Sequence, residues 1–245
     1  MSKNTQLLNN LKGQLLTHIF NIEYINSPKG AAFSPDGTEI WVTSLMNKKS
    51  GVSVFSAENG DRLRDIHLDG HGGVEVIFSD DGKYVYVSQM ETGRVFEIDA
   101  TTKEITRIFN TGSTWTKVMD ISADGKTLFA SNWSGNDVAE IDLVTGKLTR
   151  RIPVVKTPRG IYITKDGKTL YVAGFANGEI QKINLLTGEK KIIFKSGGAM
   201  RHIVADEERG ILFVSDMKKR KIMKVDLKTD EVITFVGTDY NPNTI

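Results

Sequence analysis

The chain has 245 residues, a net charge of +2, 25% charged and 39% hydrophobic residues, and no cysteine. That length buries a substantial core, and the near-neutral balance argues against a dedicated nucleic-acid binder, which carries a strong basic excess. Disulfides, thiolate catalysis and Cys-based metal sites are excluded, and no run approaches the roughly 18 apolar residues of a membrane span.

The first ten residues lack the apolar run of a secretory signal, so the protein is either cytoplasmic or lost an export signal upstream of Met1. Residues 7–13 read as the end of a third strand and its turn, and residues 14–24 as a fourth strand. A turn motif then recurs: Phe33-Ser34-Pro35-Asp36-Gly37, Phe78-Ser79-Asp80-Asp81-Gly82, Ile121-Ser122-Ala123-Asp124-Gly125 and Ile163-Thr164-Lys165-Asp166-Gly167, with a degenerate fifth copy at Asp206 to Gly210. The first three glycine intervals are 45, 43 and 42 residues (37 to 82, 82 to 125, 125 to 167). Asp-Gly between apolar runs marks a hairpin, because Gly accepts the positive φ of such turns.

Each turn is followed by an alternating, strand-forming run such as Val85-Tyr86-Val87-Ser88 or Leu170-Tyr171-Val172-Ala173, then a polar loop, a third strand such as Arg94 to Asp99, a second turn and a fourth strand. Four short strands per repeat predict a β-propeller of antiparallel blades. Five complete blades span about 27–72, 73–115, 116–156, 157–198 and 199–240, within a single domain covering 1–245. Asn241-Pro242-Asn243-Thr244-Ile245 matches the start of an inner strand, so residues 1–26 and 241–245 are expected to share a partial sixth blade. Its second strand is missing, and a natural chain continuing past Ile245 would allow seven blades.

Thr157-Pro158-Arg159-Gly160-Ile161, Lys168-Thr169-Leu170-Tyr171-Val172-Ala173 and Ile183-Asn184-Leu185-Leu186-Thr187-Gly188 together resemble the repeat of YVTN-family propellers. The resemblance implies a bacterial or archaeal protein, often exported or surface-associated and commonly seven-bladed. Function does not follow from it, because propellers host enzymes, binders and scaffolds alike. Blade 2 departs from the pattern, with Gly73-Val74-Glu75-Val76 in place of the Pro-Arg-Gly motif, and blade 5 lacks the Asp-Gly turn.

Aligning the blades places Lys29, Lys117, Arg159 and Arg201 at one position near the start of the innermost strand, with Val74 and Asn243 in the other two slots. Cations converging on a channel mouth attract anions, and Arg adds bidentate recognition of carboxylate or phosphate. The same residues would equally serve a structural role, bonding loop carbonyls and acidic groups. Glu75 and His202 lie beside this ring in sequence. A second ring, Leu45, Met90, Trp133, Phe175 and Met217, ends the second strands and is expected on the same face, joined by Trp115 and His71. Large apolar groups with polar rims mark binding surfaces, although inter-blade packing also uses them.

Enzyme signatures fail. Asp124-Gly125-Lys126-Thr127 and Asp166-Gly167-Lys168-Thr169 imitate the end of a P-loop without its first Gly or a following helix. The segment from Asp239 to Asn243 imitates a calcium loop with Thr244 in place of the Gly. The four histidines lack metal-ligand spacing, and no Gly-x-Ser-x-Gly elbow is present. Asp99, Asp142, Asn184 and Asp226 recur at third-strand ends, which points to turn bonding. The leading expectation is therefore a non-enzymatic module holding a protein, peptide or small anionic ligand, with no cofactor implied. The alternative is a lactonase-type propeller hydrolase with its site at the channel mouth.

Overall fold

A computed structural model describes residues 21–22, 25, 27–45 and 51–244. Among the described residues, twenty strands form five four-stranded antiparallel sheets, each running in chain order from inner to outer strand. Blade 1 comprises β1 (Pro28–Phe33), β2 (Glu39–Ser44), β3 (Val52–Ser56) and β4 (Arg62–Ile66). Blade 2 comprises β5 (Val76–Phe78), β6 (Tyr84–Gln89), β7 (Arg94–Asp99) and β8 (Ile105–Asn110). Blade 3 comprises β9 (Thr116–Ile121), β10 (Thr127–Asn132), β11 (Asp137–Asp142) and β12 (Lys147–Pro153). Blade 4 comprises β13 (Pro158–Ile163), β14 (Thr169–Gly174), β15 (Glu179–Asn184) and β16 (Lys190–Lys195). Blade 5 comprises β17 (Met200–Asp206), β18 (Ile211–Asp216), β19 (Lys221–Asp226) and β20 (Val232–Gly237). The inner strands pack in succession, so the blades form a ring-like array, the β-propeller that the repeat predicts.

The expected strands at residues 7–24 lie outside the described residues except for 21–22, which are not in a strand. Asn241 to Thr244, expected to begin an inner strand, follow β20 without strand pairing. No helix among the described residues is long and apolar enough to cross a membrane.

Turn chemistry explains the repeat. Asp36 Oδ1 accepts from Ser34 Oγ (2.6 Å) and Thr38 N (3.0 Å), and Ser34 Oγ accepts from Glu39 N (2.9 Å). Gly37 at φ 73° completes a hairpin that Ser79/Asp81, Ser122/Asp124 and Thr164/Asp166 reproduce. The carboxylates at third-strand ends do the same for the next turn: Asp142 Oδ1 accepts from Val144 N and Thr145 N, both at 2.8 Å. In blade 5 the lost Asp-Gly turn becomes a single 3-10 turn over Glu207–Arg209, capped by Asp206.

The core is divided between neighbouring blades. Trp41, Val54, Leu68, Val85 and Phe96 pack between blades 1 and 2, and three equivalent clusters fill the next junctions. Fourth-strand cations then stitch each blade to its successor. Arg64 reaches Glu104 (3.0 Å), Arg107 donates to Leu143 O (2.6 Å), Arg150 donates to Leu185 O (3.2 Å) and Lys191 reaches Asp230 (3.0 Å).

Candidate functional site: a basic channel mouth

The ring cations occupy β-bulges, which is why they are aimed rather than paired. In β1 the register skips Lys29 and Gly30, in β9 Lys117 and Val118, in β13 Arg159 and Gly160, and in β17 Arg201 and His202. Two inner-strand residues thus oppose one on the second strand, and such bulges redirect a side chain. The opposing residue is Thr43, Ser131, Ala173 or Ser215. Its hydroxyl, where present, fills the gap: it accepts from Gly30 N (2.8 Å), Val118 N (3.1 Å) and His202 N (3.0 Å) respectively.

Second-strand hydroxyls, including that of Ser88 in blade 2, also reach the next blade. Thr43 donates to Val74 O (2.8 Å), Ser88 to Lys117 O (2.7 Å) and Ser131 to Arg159 O (2.8 Å). Consecutive ring positions are therefore locked to one another by buried hydrogen bonds. Blade 4 has Ala173 instead, and there Gly160 permits direct approach: a Cβ on it would meet Arg201 O at 2.5 Å. In blade 2 the divergent Gly73-Val74-Glu75 shortens β5 to three residues and leaves Val74 buried, with Glu75 half-buried beside it.

Among the described residues, none of Lys29, Lys117, Arg159 and Arg201 has an ion pair within 4.0 Å. Neutral groups surround two of them instead. The Lys117 ammonium lies 4.8 Å from the Trp115 ring centre and 5.7 Å from that of Trp133, and it donates to Met90 Sδ. Arg201 lies 5.8 Å from the Phe175 ring centre and donates from Nη1 to Met217 Sδ (3.0 Å). Trp115, Trp133 and Phe175 form a ladder with centroid spacings of 6.4 and 4.8 Å. The two sets of residues thus touch at Lys117 and Arg201, with Trp115 45% exposed.

Burial acts on every charge here, and repulsion between cations acts on Lys29, Lys117 and Arg159. Burial, then Arg159, Lys29 and Arg201, pull the Lys117 ammonium down to about 8. Burial, then the Arg201 charge, pull Arg159 down to about 10, against the pull of Glu75, so it remains a cation at neutral pH. Lys29 is lowered by burial and the two arginines, and Arg201 by burial. Glu75 moves up to about 7 because burial outweighs the attraction of Arg159 and Lys29. The Arg201 Nε is buried with no hydrogen-bond partner among the described residues. A cleft of about 430 Å³ adjoins Phe175 and Met217 and extends to Lys218, Arg220 and Asn241.

Other predicted residues fall elsewhere or apart. Asn243 is exposed beyond β20, and Leu45 is half-buried at the blade 1 rim, its N–H donating to Ser27 O (3.1 Å). His202 is half-buried in its bulge, and His71 pairs with Glu91 across the rim. Among the described residues no group of three His, Cys, Asp or Glu side chains is placed to hold a metal ion.

Asp120 was not singled out by sequence reasoning. It accepts from Ile163 N (2.8 Å) and Ile121 N (2.9 Å), and burial pushes it up to about 6. Its signal was a lone carboxylate in an inner strand where the other repeats carry Ala32, Ile77, Tyr162 and Val204. Glu207, in the degenerate turn, likewise bridges to blade 4 by accepting from Lys165 N (3.0 Å) and the Tyr162 hydroxyl.

A sequence model of the family described as "Lactonase, 7-bladed beta-propeller" matches residues 21–164, more than half of the chain. No curated protein matches the sequence. Among solved structures, hydrazine synthase from Kuenenia stuttgartiensis is 19% identical with a TM-score of 0.78, over 89% of this chain and 76% of that one. A functionally unknown protein from Desulfotomaculum acetoxidans DSM 771 is 16% identical with a TM-score of 0.73, over 94% and 79%. Virginiamycin B lyase from Staphylococcus aureus is 18% identical with a TM-score of 0.74, over 89% and 73%. At these identities the three structures establish the propeller fold alone, whereas the family match covers the whole of blades 1 to 3 and the inner strand of blade 4. The chain belongs to the seven-bladed β-propeller lactonase family.

Proposed function

We propose that this propeller binds a small carboxylate- or phosphate-bearing ligand at its channel mouth through Lys29, Lys117, Arg159 and Arg201. The observation carrying this reading is the absence of an ion pair on any of the four, among the described residues. Buried charges are ordinarily paired, and four like charges of which only Lys29 and Arg159 feel a carboxylate, Glu75, attract an anion. The partly hidden arginines offer bidentate contacts, and the Trp115–Trp133–Phe175 ladder lies beside Lys117 and Arg201.

Calorimetric titration with a panel of di- and tricarboxylates and phosphomonoesters tests it. Binding that weakens with salt and is lost in Arg159→Ala/Arg201→Ala supports the reading. A panel without heat or thermal shift overturns it.

A second reading is favoured by Glu75 and by the family. A carboxyl held at about 7 is half ionised at neutral pH, which suits a general base. In lactone hydrolysis Glu75 would take a proton from water as its oxygen attacks the acyl carbon. Arg159 would hold the developing oxyanion, and the ring oxygen would leave with a proton. A lactone panel decides this: turnover abolished by Glu75→Gln supports hydrolysis, and inactivity of the wild type removes it.

A further inference from the structure

Lys117 differs from the other ring cations in what surrounds it. Only 5% of the residue is exposed, and its ammonium meets a thioether and two indole faces. The charges acting on it, from Arg159, Lys29 and Arg201, are all positive. Burial and like charge both disfavour the ammonium, so an appreciable fraction is free amine at neutral pH. A desolvated lysine beside other cations is how proteins make an amine nucleophilic. Its backbone is also fixed, because Ser88 Oγ donates to Lys117 O and Thr116 is paired to Asn132 at the edge of the bulge. In the next two blades Arg159 and Arg201 follow in sequence around the mouth, the latter with an unpartnered buried Nε.

We propose that Lys117 is an amine nucleophile that condenses with the ketone of a 2-oxo acid whose carboxylate is held by Arg159 and Arg201. This rests on the anion-binding reading above. The neutral amine adds its lone pair to the carbonyl carbon, and the C=O electron pair moves to oxygen, which takes a proton. The nitrogen then passes one of its two protons to the carbinolamine hydroxyl, which departs as water and leaves a protonated imine. In sum one ammonium and one ketone give one iminium and one water, with no oxidant or reductant. Met90, Trp115 and Trp133 pack against the amine and leave it few polar neighbours.

The test incubates the full chain with 2-oxoglutarate or pyruvate and sodium cyanoborohydride, which reduces an imine to a stable secondary amine. Intact mass and peptide mapping then locate the adduct. The expected result is one adduct per chain, on Lys117, absent in Lys117→Arg and slowed by 2-hydroxyglutarate, which offers the carboxylates without the ketone. A Lys147→Arg variant, at an exposed lysine of β12 away from the mouth, should still be labelled on Lys117. Label scattered over surface lysines, at a rate indifferent to Lys117→Arg and to the competitor, overturns the proposal. Calorimetric binding of 2-oxoglutarate without any adduct also overturns it while leaving the anion-binding reading standing. Absence of both heat and adduct removes the two together.

Discussion

The Lys117 ammonium lies 4.8 Å from the centre of the Trp115 ring and, among the described residues, has no carboxylate within 4.0 Å. A π face compensates a buried charge only partly, since cation–π contacts contribute about 2 kcal/mol when desolvated. The drop from 10.5 to about 8 corresponds to about 3 kcal/mol of cost to the folded state at neutral pH, at about 1.4 kcal/mol per unit. The folded pKa is depressed, so stability is gained as pH rises from about 8 to 10.5, where the unfolded chain holds the extra proton. Lys117→Met, which keeps the volume and removes the charge, should therefore stabilise the protein by roughly 1–3 kcal/mol at pH 7 while weakening anion binding. Urea denaturation at pH 7 and pH 10.5 measures this. A variant less stable than wild type at pH 7 would mean that Lys117 holds the fold together.

Glu75 titrates in the opposite sense. Its folded pKa is raised from 4.5 to about 7, so the folded state holds the extra proton between those values. Its contribution is most favourable below pH 4.5 and is lost as pH rises through 7, a span of about 3 kcal/mol at 1.4 kcal/mol per unit. Glu75→Gln should thus gain stability over wild type at pH 8 and show no difference at pH 4.5. Together with Lys117 this makes the mouth least favourable to the fold between about pH 7 and 8, whereas an anionic ligand should raise Tm most below about pH 7, where Lys117 is charged and Glu75 neutral. Chemical denaturation from pH 4.5 to 9 checks both. An offset between variant and wild type that does not change with pH would contradict the assignment to Glu75.

The repeat was legible because each copy reuses one turn chemistry: Ser34 with Asp36 and Gly37, then Ser79 with Asp81 and Gly82, are local and need no tertiary context. The ring of cations was legible for the same reason, since equal spacing in a repeat becomes equal position in space. The bulge that aims Arg159 was not, because it is set by pairing with a strand fourteen residues away and not by the inner strand's own sequence. Nor was the union of the two rings, which depends on Trp115 at φ 59° donating its N–H to Met90 O. Asp120 and Glu207 were hidden because each bonds a neighbouring blade, at positions where the repeat otherwise varies.

Arg107 and Arg150 look alike in sequence but should differ in weight. Arg107 donates from Nε to Glu97 Oε1 (2.7 Å), and Glu97 is buried, at 1% exposed. Burial pushes the Glu97 carboxyl up, yet its bonds from Arg107 and Thr106 bring it below the usual range. Arg107→Ala strands that charge and should cost about 3 kcal/mol, the penalty for breaking a buried pair. Arg64 and Arg150, on exposed stitches, should each cost under about 1 kcal/mol. Urea midpoints rank them, and equal losses would show that the stitches act by chain connectivity alone.

Gly160 tests whether blade spacing sets the site. An alanine Cβ there would lie 2.5 Å from Arg201 O and 2.9 Å from Ile203 N, both backbone, so β17 must move. Gly167, at φ 67°, has nothing within 4 Å, and alanine there meets only the left-handed backbone cost of about 1–2 kcal/mol. Overpacking at Gly160 costs a comparable 1–3 kcal/mol, so stability alone does not separate the two. Ligand affinity does, because only Gly160→Ala displaces Arg201 relative to Arg159. Gly160→Ala should weaken anion binding at least about tenfold, the ratio that 1.4 kcal/mol of lost contact gives. Gly167→Ala should leave it unchanged. Calorimetry on both variants, each confirmed folded by circular dichroism, reads the difference. Equal affinities would show that the two arginines do not grip one ligand.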